Sequence, residues 1–292
     1  RLAGDAGPSA MPEPGQASRR KYREAWLSWW KDHQAGIAAE RLEQESRTLG
    51  FNLVVLLDLS RIEYLDRANR VYWKIENVER PLDVQLLPGE QRVLVAEHKA
   101  NRVSERNLKG EIVWKKMIQG PLAAQRLPDG HTFITTQDQL LEVDKDGKEV
   151  FSYTRPDGAS FMRATKLRNG DIACILQLGA ARFVRLTPSG KDFKEVKSWG
   201  VQVRTSGGRL DVLPNGHVLI PEMDNNRVVE YDEAGQSVWE VPVDQPIAAV
   251  RLPNGNTVIT QMRQNRAVEV DRMGKEVWQF KTTTRVTRAL RR

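Results

Sequence analysis

Arginine recurs at Arg61, Arg102, Arg182, Arg227 and Arg266, each five residues before a polar residue that ends an apolar run: Asp66, Asn107, Thr187, Asp232 and Asp271. Gln139 holds the same place before Asp144. A guanidinium is a planar, permanently charged donor fork, so a ring of them around one opening can capture a carboxylate, sulfate or phosphate. A second use competes with the first. Glu105, Glu142, Glu230 and Glu269 stand two residues before the same polar positions, three residues from the arginine place. On a strand that separation puts Arg and Glu on opposite faces, so the Arg of one unit can meet the Glu of the next. Stapling is the favoured reading, because a position repeated in nearly every unit serves what the units share.

Residues that do not repeat are better candidates for an asymmetric site. Those near the arginine places are Asp58, Glu97, His98, Gln137, Gln177, Glu222, Asp224, Gln261 and Arg263. Carboxylates, amides and an imidazole together can hold a divalent cation or move protons. Their spacing matches no known ligand pattern, and a loop histidine such as His98 is more often solvated than catalytic. The candidate ligand-binding set is therefore Arg61, Arg102, Arg182, Arg227, Arg266, His98, Glu97, Asp58, Glu222 and Arg263, with no catalytic residue, metal ligand or cofactor assigned. His131 and His217 follow Pro-x-Gly turns, where Asp171 and Asn256 replace them, and read as structural. The chain has no P-loop, Gly-x-Ser-x-Gly elbow, His-Glu-x-x-His pair or dinucleotide fingerprint. Cys174 is the only cysteine and lies in the apolar run 172–176, which excludes an internal disulfide and reads as a buried hydrophobe.

The elements that position these residues form a tandem repeat. The six polar anchors, Asp66, Asn107, Asp144, Thr187, Asp232 and Asp271, are 41, 37, 43, 45 and 39 residues apart. Three residues beyond each stands Asn69, Gly110, Gly147, Gly190, Gly235 or Gly274, types that tolerate the positive φ of a tight hairpin. Seven residues beyond stand Trp73, Trp114, Phe151, Trp239 and Trp278; the fourth unit has Lys194 there, with Phe193 and Trp199 displaced. Leu-Pro-x-Gly turns at 127–130, 213–216 and 252–255, with variants at 87–89 and 167–170, lie upstream of the anchors. Each unit thus reads as four short antiparallel strands. Such a sheet of about 40 residues cannot bury both faces alone, and radial packing into a propeller solves that. The fold expected is all-β, a six-bladed propeller over 49–292. The first unit lacks an innermost strand, while the tail 285–290 aligns with 246–251, so the C-terminus is expected to complete blade one and remove exposed edges.

With 292 residues, 40% apolar and 28% charged, the chain can fill a core and is not disordered by composition. No apolar run approaches the ~18 residues of a membrane-spanning helix. The net charge is +7, and the last twelve residues supply five of the positive charges without an acid. The remainder is nearly balanced, so a nucleic-acid face is not indicated. Residues 1–17 are rich in Gly and Pro and read as a linker. A helical segment is expected over 18–48, starting from Ser18 as N-cap, with Tyr22, Trp26, Trp29, Trp30 and His33 on one aromatic face up to Gly36. That face is expected to pack on the propeller or on upstream helices. The chain starts with Arg1, which is compatible with removal of a leader or a larger upstream region.

Gly216, Asn225-Asn226-Arg227-Val228, Tyr231-Asp232 and Gly235 resemble an NHL-type propeller repeat, and Asp271, Gly274 and Trp278 are similar to quinoprotein-like repeats. Over nearly all its length the chain resembles the C-terminal part of bacterial proteins in which HEAT-type helical repeats precede a quinoprotein-like propeller. The residues that carry this are Leu2, Gly4, Trp26 to Trp30, His33, Leu53 to Asp58, Asn101-Arg102-Val103 and Asp244 to Arg251. The resemblance implies architecture and, more weakly, export to the periplasm or outside. It implies no reaction. Quinoprotein dehydrogenases typically use eight blades, calcium and often a vicinal disulfide, so six blades and one cysteine argue against a bound quinone. The function expected is a non-enzymatic binding or scaffolding module for a protein partner or an anionic small ligand at the channel face, as a monomer. The alternative is a metal-assisted hydrolase or lyase of the six-bladed type.

Overall fold

The computed structural model of the chain describes residues 16–33, 52–66, 68–87, 91–190 and 192–291, with side chains from Arg23 onward in the first segment. Two compact units divide it, Arg1–Leu49 and Gly50–Arg292. The first contains the α-helix Gln16–His33, which begins two residues before Ser18, so Ser18 lies in its first turn rather than capping it. Its aromatic residues meet at helical spacing: Trp26 and Trp29 pack edge to face at 5.6 Å, and His33 stacks on Trp29 at 4.6 Å. The side chain of Tyr22, and the expected helix beyond residue 33, lie outside the described residues.

The second unit is the propeller. Its described strands form six antiparallel sheets of four strands each. Five blades run inner to outer in chain order; blade one is built from Asn52–Leu56, Arg61–Leu65 and Val71–Ile75 and takes Val286–Arg291 as its innermost strand. The closing register pairs Leu53 with Leu290 and Val54 with Ala289. A bulge follows, so Val286 and not Arg285 occupies the place of Pro246, one residue away from the alignment that the sequence offers.

Turn chemistry explains why each sheet folds locally. In five blades the anchor carboxylate or amide accepts the backbone N–H groups two and four residues on, as Asp144 does from Asp146 and Lys148, both at 2.9 Å. The residue three beyond it sits at positive φ in all six blades, from 59° at Asn69 to 86° at Gly110. A bulge just before the anchor recurs in every blade and brings the aromatic residue opposite the position two before the anchor, as with Glu105 and Trp114 or Glu269 and Trp278. In blade four the outer hairpin is longer and Trp199 moves along it to stack on Phe183 at 4.2 Å.

The core lies between blades. Leu127, Phe133 and Leu140 of blade three pack with Phe161, Ile172 and Leu186 of blade four, and the other interfaces described are built alike. Each fully buried Leu, Ile or Phe contributes roughly 1.5–3 kcal/mol relative to exposure. That gain is available only when a neighbouring sheet is present.

Candidate functional site

The repeated arginines do not face the channel. Each bonds within its own blade to a carboxylate on the adjoining strand or just beyond it: Arg61 to Glu76 at 2.9 Å, Arg102 to Glu97 at 2.7 Å, Arg182 to Glu195 at 2.7 Å, Arg227 to Glu222 at 2.9 Å and Arg266 to Glu276 at 3.3 Å. The preceding Asn101, Asn226 and Asn265 hold φ near 50°, and Asn101 and Asn226 accept a backbone N–H from the connection to the next blade. These residues therefore brace the rim.

Inter-blade staples exist, with a different cation from the one expected. The glutamates two before the anchors bond to the last residue of the next blade's inner strand: Glu105 to Arg126 at 2.7 Å, Glu142 to Lys166, Glu230 to Arg251 at 2.6 Å and Glu269 to Arg291 at 2.8 Å. Each of those cations also lies over the aromatic residue of the preceding blade, from 4.4 Å for Arg251 on Trp239 to 5.7 Å for Lys166 on Phe151. His131 and His217 complete the pattern from their turns, 2.8 and 2.9 Å from Glu142 and Glu230.

The asymmetric candidates are scattered over all six blades, and the carboxylates among them are engaged. Glu97 is fully buried, and its oxygens accept from Arg102, Ser104, Arg106 and the Glu79 N–H. Burial pushes its pKa up, but the bonds from Arg102, Ser104 and Arg106 outweigh this and hold it below the usual value. Glu222, 1% exposed, is its counterpart in blade five, bonded by Arg227, Asn225, Tyr231 and the Gln202 N–H. Asp58 accepts from Thr284 and Arg285 and so belongs to the ring closure, while Asp224 pairs with Arg204 at 2.6 Å. His98 is half-buried, 3.4 Å from the Pro121 carbonyl; Arg263, Gln137 and Gln177 are exposed; Gln261 is buried and donates to the Asp244 carbonyl. Among the described residues, the His, Cys, Asp and Glu group whose donor atoms gather within 4.8 Å is Asp129, His131 and Glu142, on the face opposite the channel mouth.

The sequence reading missed the channel wall itself. The inner strands of blades one, two, four and six carry a bulge near their start, and the residue after it takes the same register place: Arg288, Asp83, Arg163 and Ala248. Arg209 precedes the inner strand of blade five and reaches across the channel to Asp83 at 2.8 Å. Around these lies a cavity of about 220 Å³. Leu57, Leu82, Ile247 and Met262 are its apolar lining residues, Arg163 and Arg288 its buried charged ones, and Arg80 and Arg285 also line it. The segment Thr205 to Gly208, from the connection between blades four and five, also lines it, held by bonds from Gly207 N–H to the Met162 carbonyl and from Gly208 N–H to the Leu122 carbonyl, both 2.9 Å.

The electrostatics of the wall are unbalanced. Arg163, 3% exposed, donates to the Ile247 carbonyl at 2.6 Å and to Thr205 at 3.3 Å but pairs with no carboxylate, and its Nε has no partner. Burial first, then Arg288, lowers its pKa to about 10, with Asp83 opposing. Arg288, 5% exposed, lies 3.5 Å from Asp83, an ion pair without a hydrogen bond. The one signal that pointed here was a charged residue inside an otherwise apolar inner strand.

Residues 182–292 match the repeat family described as outer membrane protein assembly factor BamB, a PQQ-type repeat. The chain is a six-bladed β-propeller whose residues 182–292 are similar to PQQ-like repeats. No curated protein matches it in sequence. Among solved structures, the propeller is similar to a protein of unknown function from Bacteroides caccae, at 18% identity over 82% of this chain and 97% of that one, with a TM-score of 0.63. It is similar also to a chain of a nidogen/laminin complex, at 13% identity over 82% and 97% with a TM-score of 0.63. A catalytically inactive virginiamycin B lyase from Staphylococcus aureus, with quinupristin, matches at 20% identity over 70% of each chain with a TM-score of 0.52. At these identities the likeness is one of fold. Among the described residues, no helix is long and apolar enough to cross a membrane.

Proposed function

We propose that the propeller is a non-enzymatic binding module that holds a small anionic ligand at its channel mouth, the blades acting as a rigid platform. The observation that carries this is Arg163: a guanidinium almost wholly out of water, in a cavity wall, with no carboxylate of the described residues on it. Buried charges are ordinarily paired, and an unpaired one is costly unless something else supplies the counter-charge. The PQQ-like repeat supports a binding or scaffolding role at that coarse level. The enzymatic alternative asks for carboxylates free to take a cation, whereas Asp58, Glu97, Glu222 and Asp224 each hold an arginine.

A thermal-shift series tests the proposal. Phosphate, sulfate and simple carboxylates, each against a neutral analogue at equal ionic strength, are expected to raise Tm when bound to the native state, and Arg163→Met is expected to remove the rise. If no anion gives a rise, the proposal falls and a protein partner on the channel face becomes the surviving binding reading.

A further inference from the structure

The cavity's size, charge count and mixed lining narrow the ligand. Its volume of about 220 Å³ corresponds to roughly seven water-sized volumes of ~30 Å³ each and falls below the ~300–1,000 Å³ of sites for drug-sized ligands. The part of an occupant that enters the cavity is therefore about ten non-hydrogen atoms or fewer.

Charge comes next. Three arginines, Arg163, Arg209 and Arg288, share the channel with two carboxylates, Asp83 and Asp211. Asp83 takes Arg209 at 2.8 Å and stands 3.5 Å from Arg288, and Asp211 accepts the Arg251 N–H at 2.6 Å while acting on Arg288. Even with both acids ionised, one positive charge is left over, and it falls on Arg163. Arg285 pairs with Asp58 and Arg80 is exposed to water at the rim, so among the buried groups a single negative charge restores the balance, where an unbalanced charge is expensive.

The third constraint is polarity. The apolar part of the lining is Leu57, Leu82, Ile247, Met262 and Ala248. Leu82 and Ile247 are the bulged residues of their inner strands, so the bulges that aim Asp83 and Ala248 at the channel also turn these apolar side chains into the cavity. An inorganic anion leaves that part against water, while an apolar body buries it at about 25 cal/mol per Å².

We propose that the channel cavity is a binding site for a small monocarboxylate with an apolar body, its carboxylate on Arg163 and its body against Leu57, Leu82, Ile247 and Met262. This rests on the anion-binding reading above. Arg163 Nη2 is taken by the Ile247 carbonyl and Thr205, so Nη1, which lies by Gly208 in the cavity lining, is the donor left for a carboxylate oxygen. Arg80, exposed on the rim, offers the entering anion a first positive charge.

The test is isothermal titration of the wild-type chain with benzoate, hexanoate, benzyl alcohol, inorganic phosphate and sulfate, then of Arg163→Met and Arg80→Ala. Benzoate or hexanoate is expected to bind at least tenfold tighter than either benzyl alcohol or phosphate. Arg163→Met should lose tenfold or more, and Arg80→Ala only a few-fold. Phosphate or sulfate binding tighter than the carboxylates overturns the monocarboxylate assignment and leaves the anion reading standing; no anion binding at all overturns both. Benzyl alcohol binding as tightly as benzoate, or carboxylate binding undiminished in a folded Arg163→Met, removes the arginine from the site. If Arg163→Met does not fold, the wild-type order of affinities decides alone.

Discussion

Buried arginines in this propeller come in two kinds. Arg106 and Arg102 converge on Glu97, whereas Arg163 has carbonyl and hydroxyl acceptors only. The two kinds respond oppositely to removal of charge. Glu97→Gln leaves Arg106 buried without its counter-ion and is expected to cost about 3–5 kcal/mol, measured by chemical denaturation. Arg163→Met removes a charge that was never balanced, so the ligand-free protein is expected to become more stable, by ~1–2 kcal/mol, read as a higher Tm. The pH dependence follows from Glu97 and Glu222. Their folded pKa values lie below the usual carboxylate value, so the stability they contribute is fully present above the unfolded pKa of ~4.3 and is lost as pH falls toward and through the folded values. Denaturant midpoints measured from pH 6 down to pH 3 should fall, and the fall should be shallower in a Glu222→Gln variant that still folds. Sequence made Glu97 and Glu222 conspicuous as loop-edge acids near the channel face. It could not show that four donors already surround each one, because those donors come from adjoining strands and a blade connection.

Among the elements, the bulges decide most. In blades two, three, five and six the one before the anchor seats an aromatic side chain opposite a glutamate and lets the next blade's cation cover both, so anion, cation and ring form one joint. A double-mutant cycle on Glu269 and Arg291 is expected to return a coupling of about 1 kcal/mol, and one on Arg61 and Arg288, which share no partner, close to zero. The repeat itself was legible because turn residues and aromatics keep fixed offsets. The joint was not, since its cation sits in a different blade and its register depends on a bulge that adds a residue without any marker. The same blindness displaced the tail alignment by one and hid the channel wall, where Asp83, Arg163 and Arg288 share one place only after their bulges are counted. The connection between blades four and five adds a second device. A Cβ on Gly208 would stand 3.0 Å from Arg288 Nη1, at a φ of 78°. Gly208→Ala is expected to destabilise by ~1–2 kcal/mol and to weaken ligand binding at the same time, checked by denaturation and titration on one preparation.

At the scale of the molecule, six thin sheets owe their stability to one another, and the last strand makes the arrangement circular. The architecture was readable from sequence almost entirely, since a four-stranded unit repeated six times has few ways to bury both faces. Removing residues 286–292 takes away the strand beside Asn52–Leu56 and the Glu269 partner together. The truncated chain is expected to lose its single cooperative unfolding transition, seen as a broadened or early melt by calorimetry, because blade one is left with an unpaired inner edge and blade six loses its Arg291 staple.

Closure by the tail also sets a timetable. The outer three strands of blade one leave the ribosome roughly 230 residues before their inner partner is made. At about 5–20 residues per second the nascent edge at Asn52–Leu56 waits on the order of 10–50 seconds for its mate. Throughout that interval it is a row of amides and carbonyls without its native partner, the kind of edge on which non-native strand pairing starts.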